Sequence, residues 1–232
     1  MTPLLVSPLR SHPLRALRRR IGFFVAAGAA PLAACIAAPF EAPPTPNTVP
    51  DAAYDASAPT GPCDAVEQEQ AIEGFEHIPV CSFVEYLTKP PSSGNHYPVW
   101  AAYKTYVAPI PEGFFVHNLE HGTIVLTYNC PDGCASDVAA AQAMLDSLPA
   151  DPDCAAQASP VRRRSLMTPD PKLDVPFAAS AWGWTLRAKC FDSAAFQSFA
   201  LRHYNQGRED ICADGDDVSV GLAANCGDPD AG

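Results

Sequence analysis

Basic residues are scarce in the part of the chain expected to fold. Of 15 Lys and Arg in 232 residues, five (Arg10, Arg15, Arg18, Arg19 and Arg20) precede Cys35, whereas all 26 Asp and Glu follow it. From Cys35 onward the charge is therefore 10 − 26 = −16. So acidic a surface repels polyanions, and no nucleic acid partner is expected. A membrane-spanning helix is also missing: the apolar stretch "IGFFVAAGAAPLAA" is too short and too rich in alanine. There is no G-x-S-x-G elbow, no phosphate-binding loop and no paired-carboxylate arrangement. Those absences remove the best-marked routes to nucleophilic hydrolysis, nucleotide chemistry and acid/base work.

The N-terminus has a clear pattern of its own. Five arginines, a short apolar stretch and "LAAC" (Leu32 to Cys35) follow one another as in a lipoprotein signal with its lipobox. Residues 1–34 are thus expected to be a signal peptide and Cys35 the lipidated residue, anchoring the protein to a membrane. The competing reading is an ordinary cleaved signal with a chance cysteine, and "RRRIGFF" is a loose twin-arginine match. Residues 35–62, rich in proline and alanine and without periodicity, suit a flexible tether. Residues 63–226 then form a single globular domain, with 227–232 a loose tail. The expected location is the bacterial cell envelope, lipid-anchored on the periplasmic or outer surface, with protein partners unspecified.

Eight cysteines remain once Cys35 is set aside: Cys63, Cys81, Cys130, Cys134, Cys154, Cys190, Cys212 and Cys226. An even set in an exported chain reads as disulfides, although the pairing is not legible. Cys130 and Cys134 flank a Pro-Asp-Gly turn with C-x-x-x-C rather than C-x-x-C spacing, which suits a staple better than a redox pair.

The domain reads as α+β: a small, largely antiparallel sheet with two helices packed on it, stapled by disulfides. "DAVEQEQAIEGF" is a short helix or an extended lead-in, and "TKPPSSGNHYP" is loop. In "VWAAYKTYV" the three-residue spacing of Trp100, Tyr103 and Tyr106 suggests a short helical turn. Residues 123–129 form a strand. "ASDVAAAQAMLDSL" is a helix capped by Ser136 or Asp137, with Val138, Ala141, Met144, Leu145 and Leu148 as its stripe. "VRRRSLMTP" and "PFAASAWGWTLRA" read as one strand each. A final helix, "DSAAFQSFALRHY", is capped by Asp192 or Ser193 and turns Phe196, Phe199 and Ala200 inward.

The chemistry concentrates in "FFVHNLEHGTIVLTYN". His117, Glu120 and His121 spell H-x-x-E-H, the order found in inverted zincins, where two imidazoles grip zinc and the carboxylate serves as base. Those enzymes place the motif in a long helix. Here Pro111 and Gly113 precede it and Gly122 ends it, so about one turn is expected. His117 and His121 remain neighbours on a helix or a strand, whereas the role of Glu120 as base does not survive extension. His96, held between Gly94 and Pro98, is the natural third imidazole. The expected metal ligands are therefore His96, His117, His121 and Glu120, for zinc or copper, with Met167 an added thioether if the metal is copper. A pair formed by Ser92 or Ser93 with His96 reads better as turn hydrogen bonding than as a nucleophile and its base. The "VRRR" arginines are expected to face solvent or pair with surplus carboxylates.

"KPPSSGNHYPVWAAY", "VHNLEHGTIVLTYN" and "SAWGWTL" resemble the signature blocks of a bacterial family, the domain of unknown function 3105. The similarity runs from about Phe75 to Tyr204. It implies exported or membrane-tethered members and no established activity. The recurring polar positions of the family fall on Ser93, His96, His117, Glu120 and His121, while Asn95 stands where proline is usual. Three functions stay open: a transition-metal binder, a metal-dependent hydrolase with Glu120 as base, and a metal-free structural or interaction protein of the envelope.

Overall fold

A computed structural model describes residues 61–220 and Cys226. The expected signal peptide, the lipidation site at Cys35, nearly all of the tether and the tail lie outside the described residues. Nine elements follow in order. They are β1 (Val66–Glu69), α1 (Glu112–Glu120), β2 (Ile124–Tyr128), α2 (Ala135–Ser147), α3 (Pro152–Ala156), β3 (Ser165–Pro169), β4 (Phe177–Ala181), β5 (Trp184–Ala188) and α4 (Ser193–His203). The class is α+β as expected, with a mixed but largely antiparallel sheet and, among the described residues, the two expected helices, α2 and α4, accompanied by the shorter α1 and α3.

The sheet runs β1-β5-β4-β2-β3. Three of its pairings are antiparallel, while β2 and β3 run parallel with Val125 opposite Leu166. A parallel pair needs a crossover, and α2 with α3 supplies it. "PFAASAWGWTLRA" is two strands and not one: Trp182 and Gly183 turn the chain, with Gly183 at φ +74°, and β4 pairs back on β5. Ser165 opens β3, so the arginines before it are not part of the strand. The Trp100–Tyr106 segment is not helical. It makes isolated bridges, Ala101 to Asp216 and Thr105 to Met167.

Alternation along the strands gives each face of the sheet its own core. Ile124 and Leu126 of β2, Ala179 of β4 and Leu186 of β5 pack against Met144 and Leu145 of α2 and Phe196 and Phe199 of α4. Burial of each of those phenylalanines contributes about 1.5–3 kcal/mol. Val125 and Leu166 turn the other way, onto Phe114, Phe115 and Leu119 of α1. Asp192 caps α4 as expected, accepting from the amides of Ala194 and Ala195. The N-cap of α2 is instead Cys134, with no side-chain cap, because its disulfide to Cys130 sets the entry of the chain. The remaining pairs are Cys63–Cys190, Cys81–Cys226 and Cys154–Cys212, spanning 127, 145 and 58 residues. Loops that long make each cross-link worth on the order of 2–5 kcal/mol.

The helix α1 is longer than the single turn expected from its sequence. It spans nine residues because Pro111, with φ −57°, sits just ahead of the first turn, where a missing amide costs nothing. Gly113 is needed inside the helix, since a Cβ there would lie 2.8 Å from the Tyr97 ring. Gly122 ends the helix at φ +80°, with its backbone tight against Asn205.

Candidate metal centre

Helix α1 places His117 and Glu120 three residues apart on one face, with His121 one turn beyond His117. The loop carrying His96 is fastened to this helix at several points. Tyr97 N donates to Gly113 O at 3.0 Å. The Asn118 side chain holds both polar groups of Ala101, accepting from its amide at 2.9 Å and donating to its carbonyl at 2.8 Å. On its other side the same loop is fastened to the 73–78 segment. Ser93 Oγ accepts from Glu73 N at 3.0 Å, Asn95 Oδ1 accepts from Glu76 N at 3.1 Å, and His96 bridges His77 through backbone hydrogen bonds of 2.8 and 3.0 Å. Ser93 and Asn95 therefore serve as fasteners. Neither ring nitrogen of His96 is bonded to a serine.

Ligand atoms of His77, His96, His117 and Glu120 all lie within 4.8 Å of one another. The last three are buried and His77 is exposed. Three of the four expected ligands, His96, His117 and Glu120, are thus together. The fourth member of the group is His77, and His121 falls outside it. The His121 ring is completely buried 4.6 Å from that of His117, and neither of its nitrogens has a hydrogen-bond partner; Glu209 Oε2 lies 3.7 Å from Nε2. Met167 lies in the core on the α2–α4 face of the sheet, away from the imidazoles.

The imidazoles are oriented as ligands usually are. His96 Nδ1 lies 2.8 Å from Gly94 O and His117 Nδ1 lies 2.7 Å from Tyr97 O. A carbonyl only accepts, so each Nδ1 carries a hydrogen and Nε2 is left as the nitrogen able to ligate. His96 Nε2 stands 3.0 Å from Glu120 Oε2, yet makes no hydrogen bond. A contact of that length needs a positive charge between or on the two groups, either a proton on His96 Nε2 or a metal ion. The other Glu120 oxygen, Oε1, accepts from Arg208 Nη1 at 2.9 Å, and the guanidinium lies over the Phe75 ring.

Burial moves the titration of His117 down to about 4, against the pull of the Tyr97 carbonyl and with help from His96 and His77. Burial and the neighbouring His117 take His121 to about 3. Both rings are therefore neutral at pH 7. Unfolded imidazoles take up protons near 6.5, whereas these two resist until about 4 and 3, so protons favour the unfolded chain across that window. The metal-free protein is expected to lose stability progressively from about pH 6.5 down to pH 4, measured as a falling urea midpoint. A flat midpoint over that range would contradict the burial of neutral rings.

Sequence reasoning overlooked two residues here. His77 joins through an isolated bridge to a loop 19 positions away, for which no periodicity exists. Arg164, one of the arginines expected to face solvent or pair with surplus carboxylates, does pair with carboxylates, but fully buried. It donates from Nε to Asp151 Oδ2 at 2.7 Å, and from Nη1 to His121 O at 2.7 Å and Asp210 Oδ1 at 3.0 Å. It thereby fixes the end of α1. A second close group, Asp151, Cys154 and Cys212, offers no thiolate, because both sulfurs form a disulfide.

An α+β domain with three imidazoles and one carboxylate converging at the end of a helix is the class defined by fold and site together. Residues 77–214 match a family described as a protein of unknown function (DUF3105), and the chain belongs to that family. Neither the curated proteins nor the solved structures hold a match to it.

Proposed function

We propose that this protein binds one transition-metal ion, zinc or copper, through His77, His96, His117 and Glu120. The supporting observation is the convergence of the four groups, whose ligand atoms all lie within 4.8 Å of one another, with His96 Nε2 3.0 Å from Glu120 Oε2. Zinc holds nitrogen and oxygen ligands at about 2.0–2.2 Å in a tetrahedron, which puts the donors about 3.3–3.6 Å apart. Donors already within 4.8 Å of one another reach that arrangement by small side-chain rotations. Arg208 orients the carboxylate, and the Gly94 and Tyr97 carbonyls orient two of the rings.

The hydrolase alternative has less support. A general base needs an oxygen facing water, and both Glu120 oxygens are engaged, one by Arg208 and one against His96. Four disulfides in a chain that carries −16 from Cys35 onward, together with the lipobox, favour an exported lipoprotein anchored through Cys35 in the cell envelope. The test is metal analysis of the purified chain after incubation with zinc or copper and desalting. One retained ion per chain, released by a strong chelator, supports the reading. No retained ion with either metal leaves the cluster as a polar network and the protein as a structural component.

A further inference from the structure

At the opposite end of α1 from the histidines lies a cavity of about 370 Å³. Phe83, Tyr97 and Ile110 supply apolar surface and Glu112, Asp170 and Lys172 the charges. Its volume is that of a small-molecule site, and its lining is polar and apolar in about equal parts. Asp170 is only 6% exposed, and its two oxygens are treated differently. Oδ1 accepts from Lys172 N at 2.9 Å, whereas Oδ2 is buried without a hydrogen-bond partner. The lining lysine pairs with the other carboxylate, Lys172 Nζ lying 3.6 Å from Glu112 Oε2, and acts on the Asp170 side chain only through space. Lys89 acts on both carboxylates through space but does not line the cavity.

A buried carboxylate oxygen without a partner costs on the order of 1–3 kcal/mol or more, so a native structure keeps one only for a reason. Burial pushes both Asp170 and Glu112 above the ordinary carboxylate range, as it does where an acid awaits a counter-charge. At the mouth, Phe83 is 72% exposed, although it is a large aromatic beside a cavity. An occupant that satisfies both features carries a positive head and an apolar body. We propose that this cavity binds a small organic cation, an ammonium group on an aromatic or alkyl body, with the head against the Asp170 and Glu112 carboxylates and the body between Tyr97 and Phe83.

The test uses the full chain, kept in chelator so that no metal at the histidines can coordinate an amine. Benzylammonium is titrated by calorimetry and ligand-observed NMR, with benzyl alcohol as the uncharged analogue of the same body. Benzylammonium is expected to bind saturably at one site, at least tenfold more tightly than benzyl alcohol. Asp170→Asn is expected to remove that advantage, and Phe83→Ser, at an exposed position, to weaken binding at least threefold. Equal binding of alcohol and ammonium, or no saturable binding of benzylammonium to the native chain, overturns the proposal. Should Asp170→Asn fail to fold, the comparison of the two probes and the Phe83→Ser variant still decides. Success or failure of zinc binding at the histidines has no bearing on these readouts.

Discussion

If the proposed site holds zinc, His117→Ala is expected to lower zinc affinity by about a hundredfold or more, with the far-UV circular dichroism unchanged. Structural zinc sites contribute about 10–16 kcal/mol at neutral pH, which is about 2.5–4 kcal/mol for each of four ligands. At about 1.4 kcal/mol per tenfold, loss of one ligand is worth a factor of about 100–1,000. The buried position of His117 keeps water from taking its place, so the full loss applies. His77→Ala has a smaller effect, about tenfold, because that ligand is exposed and water can occupy its position. His121→Ala changes affinity less than tenfold, since its nitrogens lie outside the converging group. Competition titrations with a chromophoric chelator measure all three. Should His121→Ala cost as much as His117→Ala while His77→Ala costs nothing, the ligand set is the one the sequence suggested and not the one the geometry brings together.

That comparison marks where the sequence stopped being legible. His117 and Glu120 were readable because their relation is local, three positions along one helix. His96 was readable because a glycine and a proline on either side give a loop a definite direction. The loop is in fact held by Ser93, Asn95 and the Asn118 clasp on Ala101. His77 was not readable: its place depends on a bridge between two irregular segments, and such a bridge leaves no pattern in either. The helix α1 was underestimated for a related reason. Proline and glycine count as breakers in a linear reading, yet here the proline only precedes the first turn and the glycine makes room for Tyr97. On the fold side, α2 and α4 were found through their buried stripes, since Ala141, Met144, Phe196 and Phe199 repeat at helical spacing. The hairpin of β4 and β5 was read as one strand because Trp182 and Gly183 turn the chain within two residues of otherwise strand-like sequence.

Arg164 pairs with carboxylates, as one of its two expected roles had it, but from a fully buried position the sequence did not reveal, and its replacement carries the largest expected loss of stability. Arg164→Leu removes a guanidinium that is fully buried and bonded to Asp151, Asp210, Asn205 and the His121 carbonyl. Breaking a buried pair from one side costs about 3–5 kcal/mol, because the partner charge stays behind. Here that partner is Asp151, whose side chain also caps α3 through the amides of Asp153 and Cys154. Burial alone would push the Asp151 carboxyl up; the Cys154 amide and Arg164 outweigh it and hold the group below its ordinary value. For a domain of this size the loss corresponds to a melting temperature lower by about 6–20 °C. Adding Asp151→Asn to Arg164→Leu is expected to recover part of the loss, since the amide carbonyl still accepts from the helix amides while the stranded charge is gone. The same guanidinium fixes the carbonyl that ends α1, so Arg164→Leu also loosens the helix presenting His117 and Glu120. Zinc affinity is expected to fall as well, by less than the loss of a ligand. Calorimetric melting of the three chains with and without zinc separates the two effects. An Arg164→Leu protein that melts with the native chain would show that the arginine is a surface group after all, and the buried network around it would have to be abandoned.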